Sequence, residues 1–234
     1  MDKASFIKRV RQIGPTYFSN DAVKQRLAHV EMLAIVGPTG AGKTTITDKL
    51  GLPIVKSDVT RTRRPDEKRS DTYIFRQDYE KMEAEIESGE YVQFVVSSSD
   101  EFYGTHVTSY PENGICVMPV YSAAIPSFKL LGLKKLTIVY VMPPGYIEWM
   151  RRVGQMRADD LAKRMNEAMV SLRTAIIDPD YHFVLNDEVD TAIADIHKIL
   201  NGEELSTRRA ELARETADLL LERLGDQDDD LYFS

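Results

Sequence analysis

The sequence predicts an α/β fold, a central parallel sheet flanked by helices, and three observations carry that expectation. First, Gly37-Pro38-Thr39-Gly40-Ala41-Gly42-Lys43-Thr44 fills every fixed position of G-x-x-x-x-G-K-[ST]. The apolar run Met32–Val36 before it reads as a buried strand, and Thr45–Leu50 after it continues as a helix. Second, uninterrupted apolar runs alternate with helical segments further on, the mark of a parallel sheet covered on both faces. Third, short strands with one helix interrupt that alternation over residues 57–110, which predicts a small inserted α+β lobe.

Taken in order, residues 1–30 read as one or two short helices broken at Gly14-Pro15, with Asn20-Asp21 capping Ala22–His29. This extension carries no chemical motif and reads as packing. Leu52–Val55 is expected as a short strand leading to the basic cluster Arg61, Arg63, Arg64, Lys68 and Arg69. Tyr73–Phe75 is a second short strand. A helix over Asp78–Ser88 stops at Gly89, a glycine suited to the left-handed residue past a helix end. Tyr91–Val96 is strand-like, and a polar loop, Ser97–Asp100, runs on to Tyr103-Gly104-Thr105. Strands at Ile115–Met118, Leu136–Val141 and Phe183–Leu185 alternate with helices at Ala123–Leu131, Tyr146–Ile177 (interrupted near Gly154) and Asp190–Leu200. From Glu203 the tail places Leu205, Leu212 and Leu219 seven apart, with Leu220 and Leu224 alongside. That spacing is an amphipathic helix, packed on the domain or paired with a second subunit.

Composition bounds the class. The chain has 234 residues, 43% hydrophobic and 29% charged, as expected for a globular protein with a sizeable core. Of the net charge of −7, the segment 203–234 holds ten acids against four arginines, so the remainder is close to neutral. That balance argues against a general nucleic-acid binder. Cys116 is the only cysteine, which forbids an internal disulfide and suits a reducing compartment. No apolar run reaches the roughly 20 residues that span a bilayer, and the first residues lack a signal-peptide core. The expectation is a cytoplasmic monomer or homodimer with small-molecule partners, bound neither to nucleic acid nor to membrane.

The chemistry of Gly37–Thr44 follows from its residues. Glycines let backbone N–H groups converge on an anion, and the following helix N-terminus adds partial positive charge. Lys43 then reaches the β- and γ-phosphates of a nucleoside triphosphate, and the Thr44 hydroxyl holds a magnesium ion.

Further motifs give the chain its resemblance. Ser57-x-x-Thr60-Arg61-x-x-Arg64-x-x-Glu67 is followed by Tyr73-x-Phe75, then Gly89-Glu90-Tyr91-Val92, Tyr103-Gly104-Thr105, Val141-Met142-Pro143-Pro144 and Val184-Leu185-Asn186-Asp187. In this order, behind a phosphate loop, they resemble the guanylate kinase family from about Met32 to Leu200. The resemblance implies a P-loop kinase domain over 31–202, with a monophosphate-binding lobe at 57–110 and a helical lid at 145–165. An extension, 1–30, and an acidic helical tail, 203–234, flank it. It implies ATP, with Mg²⁺, as donor, bound by Gly37, Pro38, Thr39, Gly40, Ala41, Gly42, Lys43, Thr44, Thr45 and Asn186, the last on the adenine. It further implies that Ser57, Arg61, Arg64, Tyr73, Gln93, Tyr103 and Thr105 hold the acceptor monophosphate. Guanidinium forks grip a dianionic phosphate bidentately, which suits Arg61 and Arg64. Lys43 with lid arginines, Arg152, Arg157 and Arg164, would neutralise the charge that develops during transfer. Arg164 matches the family's K-R-L position. Arg151 is as good a register as Arg152, and the family's second lid arginine falls on Met156, beside Arg157.

Two departures leave the acceptor's base open. Guanine presents N1–H and N2–H₂ donors that carboxylates accept well. The family's first such acid is Gln93 here, and its D-x-D pair is Met118 and Val120. Asp100 or Glu101 could stand in. GMP or dGMP is the default acceptor. Another phosphorylated acceptor, such as a different monophosphate or ribose 1,5-bisphosphate, is the alternative. A non-catalytic interaction module of this fold is disfavoured because Lys43 and Thr44 are retained.

Overall fold

In the computed structural model, residues 1–63, 72–97 and 99–232 are described. They form two compact units, residues 1–33 with 52–136 and residues 34–51 with 137–234.

The first unit begins with α1 (Lys3–Ile13), a 3₁₀ turn at Gly14–Thr16 and α2 (Asp21–Leu27). The Asp2 side chain caps α1 by accepting from Ser5 N, and Asn20 caps α2 by accepting from Val23 N, as the Asn20-Asp21 pair predicts. Its inserted lobe is a four-stranded sheet in the order β3-β2-β5-β4, from β2 (Ser57–Val59), β3 (Tyr73–Phe75), β4 (Tyr91–Val96) and β5 (Phe102–His106), with α4 (Tyr79–Glu87). β2 and β3 are parallel, while β5 runs antiparallel to both β2 and β4. α1 drives Phe6, Ile7 and Val10 into one apolar cluster with Met82, Ile86, Tyr91 and Phe102, all buried. Burying such side chains contributes about 1.5–3 kcal/mol each, so the extension is part of this lobe's core.

The segment 52–55 keeps only an isolated bridge, Ile54 to Val117, because Pro53 removes one ladder donor. Conversely, Tyr103-Gly104-Thr105, expected as a loop continuation, is the middle of β5. Ala123–Leu131 shrinks to a 3₁₀ turn and α5 (Ile125–Lys129), with Pro126 at the helix start.

The second sheet has the order β6-β1-β7-β8, from β1 (Val30–Val36), β6 (Gly114–Pro119), β7 (Lys135–Met142) and β8 (Tyr181–Leu185). β7 and β8 pair in parallel from Ile138–Tyr181 to Met142–Leu185, and Ile138–Met142 are all buried. The second unit contains β8 and most of β7 with α3 (Lys43–Lys49), α6 (Tyr146–Val153), α7 (Ala158–Ile177), α8 (Val189–Leu200) and α9 (Thr207–Tyr232). The predicted break of the long basic helix falls at Gly154, between α6 and α7. Tyr140 Oη and Ser171 Oγ share a buried hydrogen bond of 2.7 Å that ties β7 to α7.

The tail is a packed helix, but it packs through the flanking Leu220 and Leu224 rather than through the seven-spaced Leu212 and Leu219. α9 packs on α7 and β8 through Ala213, Ala217, Leu220 and Leu224, whereas Leu212 and Leu219 are 40% and 60% exposed. Alanines at 213 and 217 let the helix approach closely, and a seven-residue count built on leucine alone overlooks them.

Candidate active site

Loop 37–42 connects β1 to α3, and its conformation needs its glycines. Gly37 and Gly42 have φ of +145° and +94°. A Cβ on Gly37 would lie 2.4 Å from Val141 O, and one on Gly42 would lie 2.2 Å from Asn186 Nδ2. The carbonyls of residues 37 to 41 all accept hydrogen bonds. Lys43 Nζ donates to Gly37 O (2.7 Å) and Pro38 O (2.9 Å). Trp149 Nε1 donates to Thr39 O (2.7 Å), Arg152 Nη1 to Gly40 O (3.4 Å), and Asn186 Nδ2 to Ala41 O (2.7 Å). A trans peptide points its N–H opposite to its C=O. Pinning Thr39 O and Ala41 O from outside therefore aims the N–H groups of Gly40 and Gly42 inward, as an anion-binding loop requires. Thr44 and Thr45 are exposed in the first turn of α3.

Lys43 is half-buried as a residue, and its ammonium is held inside the loop. Desolvation, with the nearby Arg164 charge and against the opposing pull of Glu167, lowers its pKa from 10.5 to about 8. Arg164 Nη1 donates to Glu167 Oε2 at 2.6 Å. A lysine, an arginine and one carboxylate thus share this locality. The other predicted arginines divide. Arg152 is half-buried on α6, held by Glu148 (2.9 Å) and turned to the loop, whereas Arg151 is exposed and doubly bonded to Glu148 at 2.7 Å. The two arginines hold the Glu148 carboxyl down at about 2. Of the two registers, Arg152 is the one at the loop. Arg157 is exposed at the N-cap of α7.

In the inserted lobe, Ser57 and Tyr73 are register partners on β2 and β3, and Ser57 N donates to Thr72 O at 3.0 Å. The Arg61 guanidinium lies over the Tyr73 ring, 4.8 Å from its centroid, and that of Arg63 lies 4.4 Å from the Phe75 centroid. Tyr103 is half-buried on β5, opposite Val59 and Val95. Arg64 and Glu67 lie outside the described residues. Gln93 and Thr105 are buried cross-strand partners. Gln93 Nε2 donates to Thr105 Oγ1 at 3.5 Å, and Thr105 Oγ1 bonds the Tyr110 hydroxyl at 3.0 Å. The other amide atom, Gln93 Oε1, is buried with no partner among the described residues. Met118 and Val120 are buried apolar residues. The stand-in acids are already engaged: Asp100 accepts from Arg11 (2.5 Å), and Glu101 accepts from Lys3 (2.6 Å) and Thr60 Oγ1 (2.8 Å).

Among the described residues, no group of three or more His, Cys, Asp or Glu side chains could hold a metal by itself. A magnesium ion carried on substrate phosphates keeps waters and needs only one or two protein ligands. The Thr44 hydroxyl at the head of α3 fits that demand.

The guanylate kinase family model matches residues 29–203. The chain belongs to the guanylate kinase family. It is 30% identical over 187 residues to the guanylate kinase of Wolbachia pipientis wMel, covering 74% of this chain and 90% of that protein. It is 29% identical over 196 residues to that of Rhodopseudomonas palustris, covering 76% and 85%. The crystal structure of guanylate kinase from Anaplasma phagocytophilum shares the fold with a TM-score of 0.55 at 21% identity, over 85% of this chain and 97% of that one. The family match leaves α1, α2 and α9 outside it. Four residues that the motifs do not flag contact the predicted site residues: Trp149 bonds Thr39 O, Glu148 and Glu167 bond Arg152 and Arg164, and Tyr110 bonds Thr105. Glu148 could have been found, since it stands three and four residues before the arginine pair on one helix. Glu167 likewise stands three residues after Arg164 on one helix, whereas Trp149 and Tyr110 leave no such signal.

Proposed function

We propose that the chain is a guanylate kinase that transfers the γ-phosphoryl group of ATP to GMP or dGMP, giving ADP and the guanosine diphosphate. The observation that carries the reading is Lys43, held by Gly37 O and Pro38 O inside a loop whose carbonyls are all engaged, with Arg164 close by. When the triphosphate enters, Lys43 exchanges those two carbonyls for β- and γ-phosphate oxygens, and the N–H groups of Gly40 and Gly42 complete the cradle. The Thr44 hydroxyl would hold Mg²⁺, which when bound would supply charge neutralisation at the phosphates. Arg152 and Arg164, on the lid segment 145–165, stabilise charge on the transferring group, with Arg157 as a third candidate. Asn186, besides bracing the loop, lies at the position that the family resemblance gives to the adenine.

For the acceptor, we assign the phosphate to Arg61 and Arg64 with Ser57, Tyr73 and Tyr103, and the base to Gln93 and Thr105. An orphaned buried acceptor costs about 1–3 kcal/mol, and guanine's N1–H and N2–H₂ are donors that would satisfy Gln93 Oε1. The module reading gains no support, because Lys43 is retained within the loop. The cytoplasm remains the assigned setting. Cys116 is buried, its thiol is pushed up to about 12, and it has no second cysteine to pair with.

The test is an ATP-consumption panel against GMP, dGMP, AMP, UMP, dTMP and ribose 1,5-bisphosphate. Selective turnover of the guanine nucleotides is expected. Preferential turnover of ribose 1,5-bisphosphate would mean that Gln93, Met118 and Val120 mark a different acceptor.

A further inference from the structure

The family match ends at residue 203, yet the next helix places a guanidinium directly on the segment that braces the loop. Arg209, near the start of α9, is largely buried, with its side chain 20% exposed. Its Nη1 donates to Asp187 Oδ2 (2.7 Å), and its Nη2 donates to Asp187 Oδ1 (3.1 Å) and Leu185 O (3.1 Å). Nε donates to Asp195 Oδ2 (3.0 Å), a carboxylate on α8 that is itself buried. The residues gripped on either side, Leu185 and Asp187, flank Asn186.

We propose that Arg209 is a positioning residue for the donor loop, acting through Asn186. The proposal rests on the reading of 37–44 as the ATP loop. Asn186 is 4% exposed, and its short side chain meets Ala41 O at 2.7 Å. Its backbone N–H donates to Met142 O at 2.8 Å, which fixes one end of the turn to β7. The other end, Asp187, is held by the bidentate fork of Arg209. With both ends fixed, Asn186 Nδ2 reaches the Ala41 carbonyl in one geometry, and that carbonyl sets the direction of the Gly42 N–H. The fit has no slack, since the space a Cβ on Gly42 would need is already filled by Asn186 Nδ2. α9 is anchored separately by Ala213, Ala217 and Leu220, and Arg214 Nη2 donates to Ile176 O at 2.7 Å. Loss of the Arg209 fork therefore loosens the brace without releasing the helix. A lysine keeps the charge but cannot span Asp187, Asp195 and Leu185 O together.

The test titrates full-length wild type, Arg209→Ala, Arg209→Lys, Asp187→Asn and Asn186→Ala with a non-hydrolysable ATP analogue and Mg²⁺ by calorimetry, with steady-state kinetics alongside. Arg209→Ala is expected to weaken the analogue about tenfold, the scale for a change that acts on a site without touching its ligand, and to raise the KM for ATP while leaving the KM for GMP unchanged. Arg209→Lys and Asp187→Asn should fall between it and wild type. The double variant Arg209→Ala, Asn186→Ala should bind no more weakly than Asn186→Ala alone, because both changes remove the same brace. Unchanged analogue affinity in folded Arg209 and Asp187 variants, or losses that multiply in the double variant, would overturn the proposal. If Arg209→Ala does not fold, Arg209→Lys and Asp187→Asn decide the question. Failure of wild type to bind the analogue would instead strike the donor-loop reading itself.

Discussion

Lys43 carries the most chemistry per atom in this chain. Its pKa of about 8 follows from an ammonium withdrawn from water beside Arg164. A triphosphate favours the charged form, so binding above pH 8 must bring a proton with it. Affinity for ATP is expected to fall by up to about tenfold per pH unit above pH 8, and Lys43→Arg should abolish that slope. Calorimetry in buffers of different ionisation enthalpy measures the proton uptake directly. In the free protein the sign is opposite: the unfolded chain keeps this proton to 10.5. The fold is therefore penalised below pH 8, and the penalty is relieved between pH 8 and 10.5. Lys43→Ala should lower kcat by about a hundredfold or more, the scale for losing one preorganised charge. Arg61→Ala should mainly raise the acceptor KM, and an unchanged KM would remove it from the phosphate site. Gln93→Glu puts a carboxylate where Oε1 lacks a partner. It should lower the KM for GMP and, without nucleotide, reduce stability by about 1–3 kcal/mol, which thermal denaturation with and without GMP resolves. Of these residues, the motifs point to Lys43, Arg61 and Gln93 from the sequence alone. They do not reveal that Asp100 and Glu101 are taken by Arg11 and Lys3, because those partners stand 89 and 98 positions away.

At the level of elements, the strands and helices with strong periodic or apolar runs were legible: β1, β4, β7, β8, α4 and the break between α6 and α7 fall where their residues predict. The misreadings have separate physical causes. Phe102–His106 contains Gly104, a poor strand former, yet a Cβ there would come 2.5 Å from the Phe102 ring, so close packing requires glycine within the strand. On α9, alanine rather than leucine marks part of the buried stripe. The extension α1 carries no motif, but its Phe6 is fully buried against Phe102 and Tyr79. Phe6→Ala should destabilise the lobe by about 3–5 kcal/mol, measured by chemical denaturation. If it acts only as core, GMP affinity of the folded variant stays at the wild-type value.

Across the whole chain, a family-sized segment at 29–203 is extended at both ends, and both extensions fold onto it. The net charge of the chain resides almost entirely in residues 203–234. No helix among the described residues is long and apolar enough to cross a membrane. The sequence leaves the base of the acceptor open because its usual acids are replaced, and burial without a partner among the described residues is what singles out Gln93 Oε1. Phosphorus NMR of purified protein with ATP, Mg²⁺ and GMP tests the central claim most directly. GDP and ADP are expected to appear in equal amounts, with no build-up of inorganic phosphate. ADP accompanied by inorganic phosphate, with GMP untouched, would contradict it.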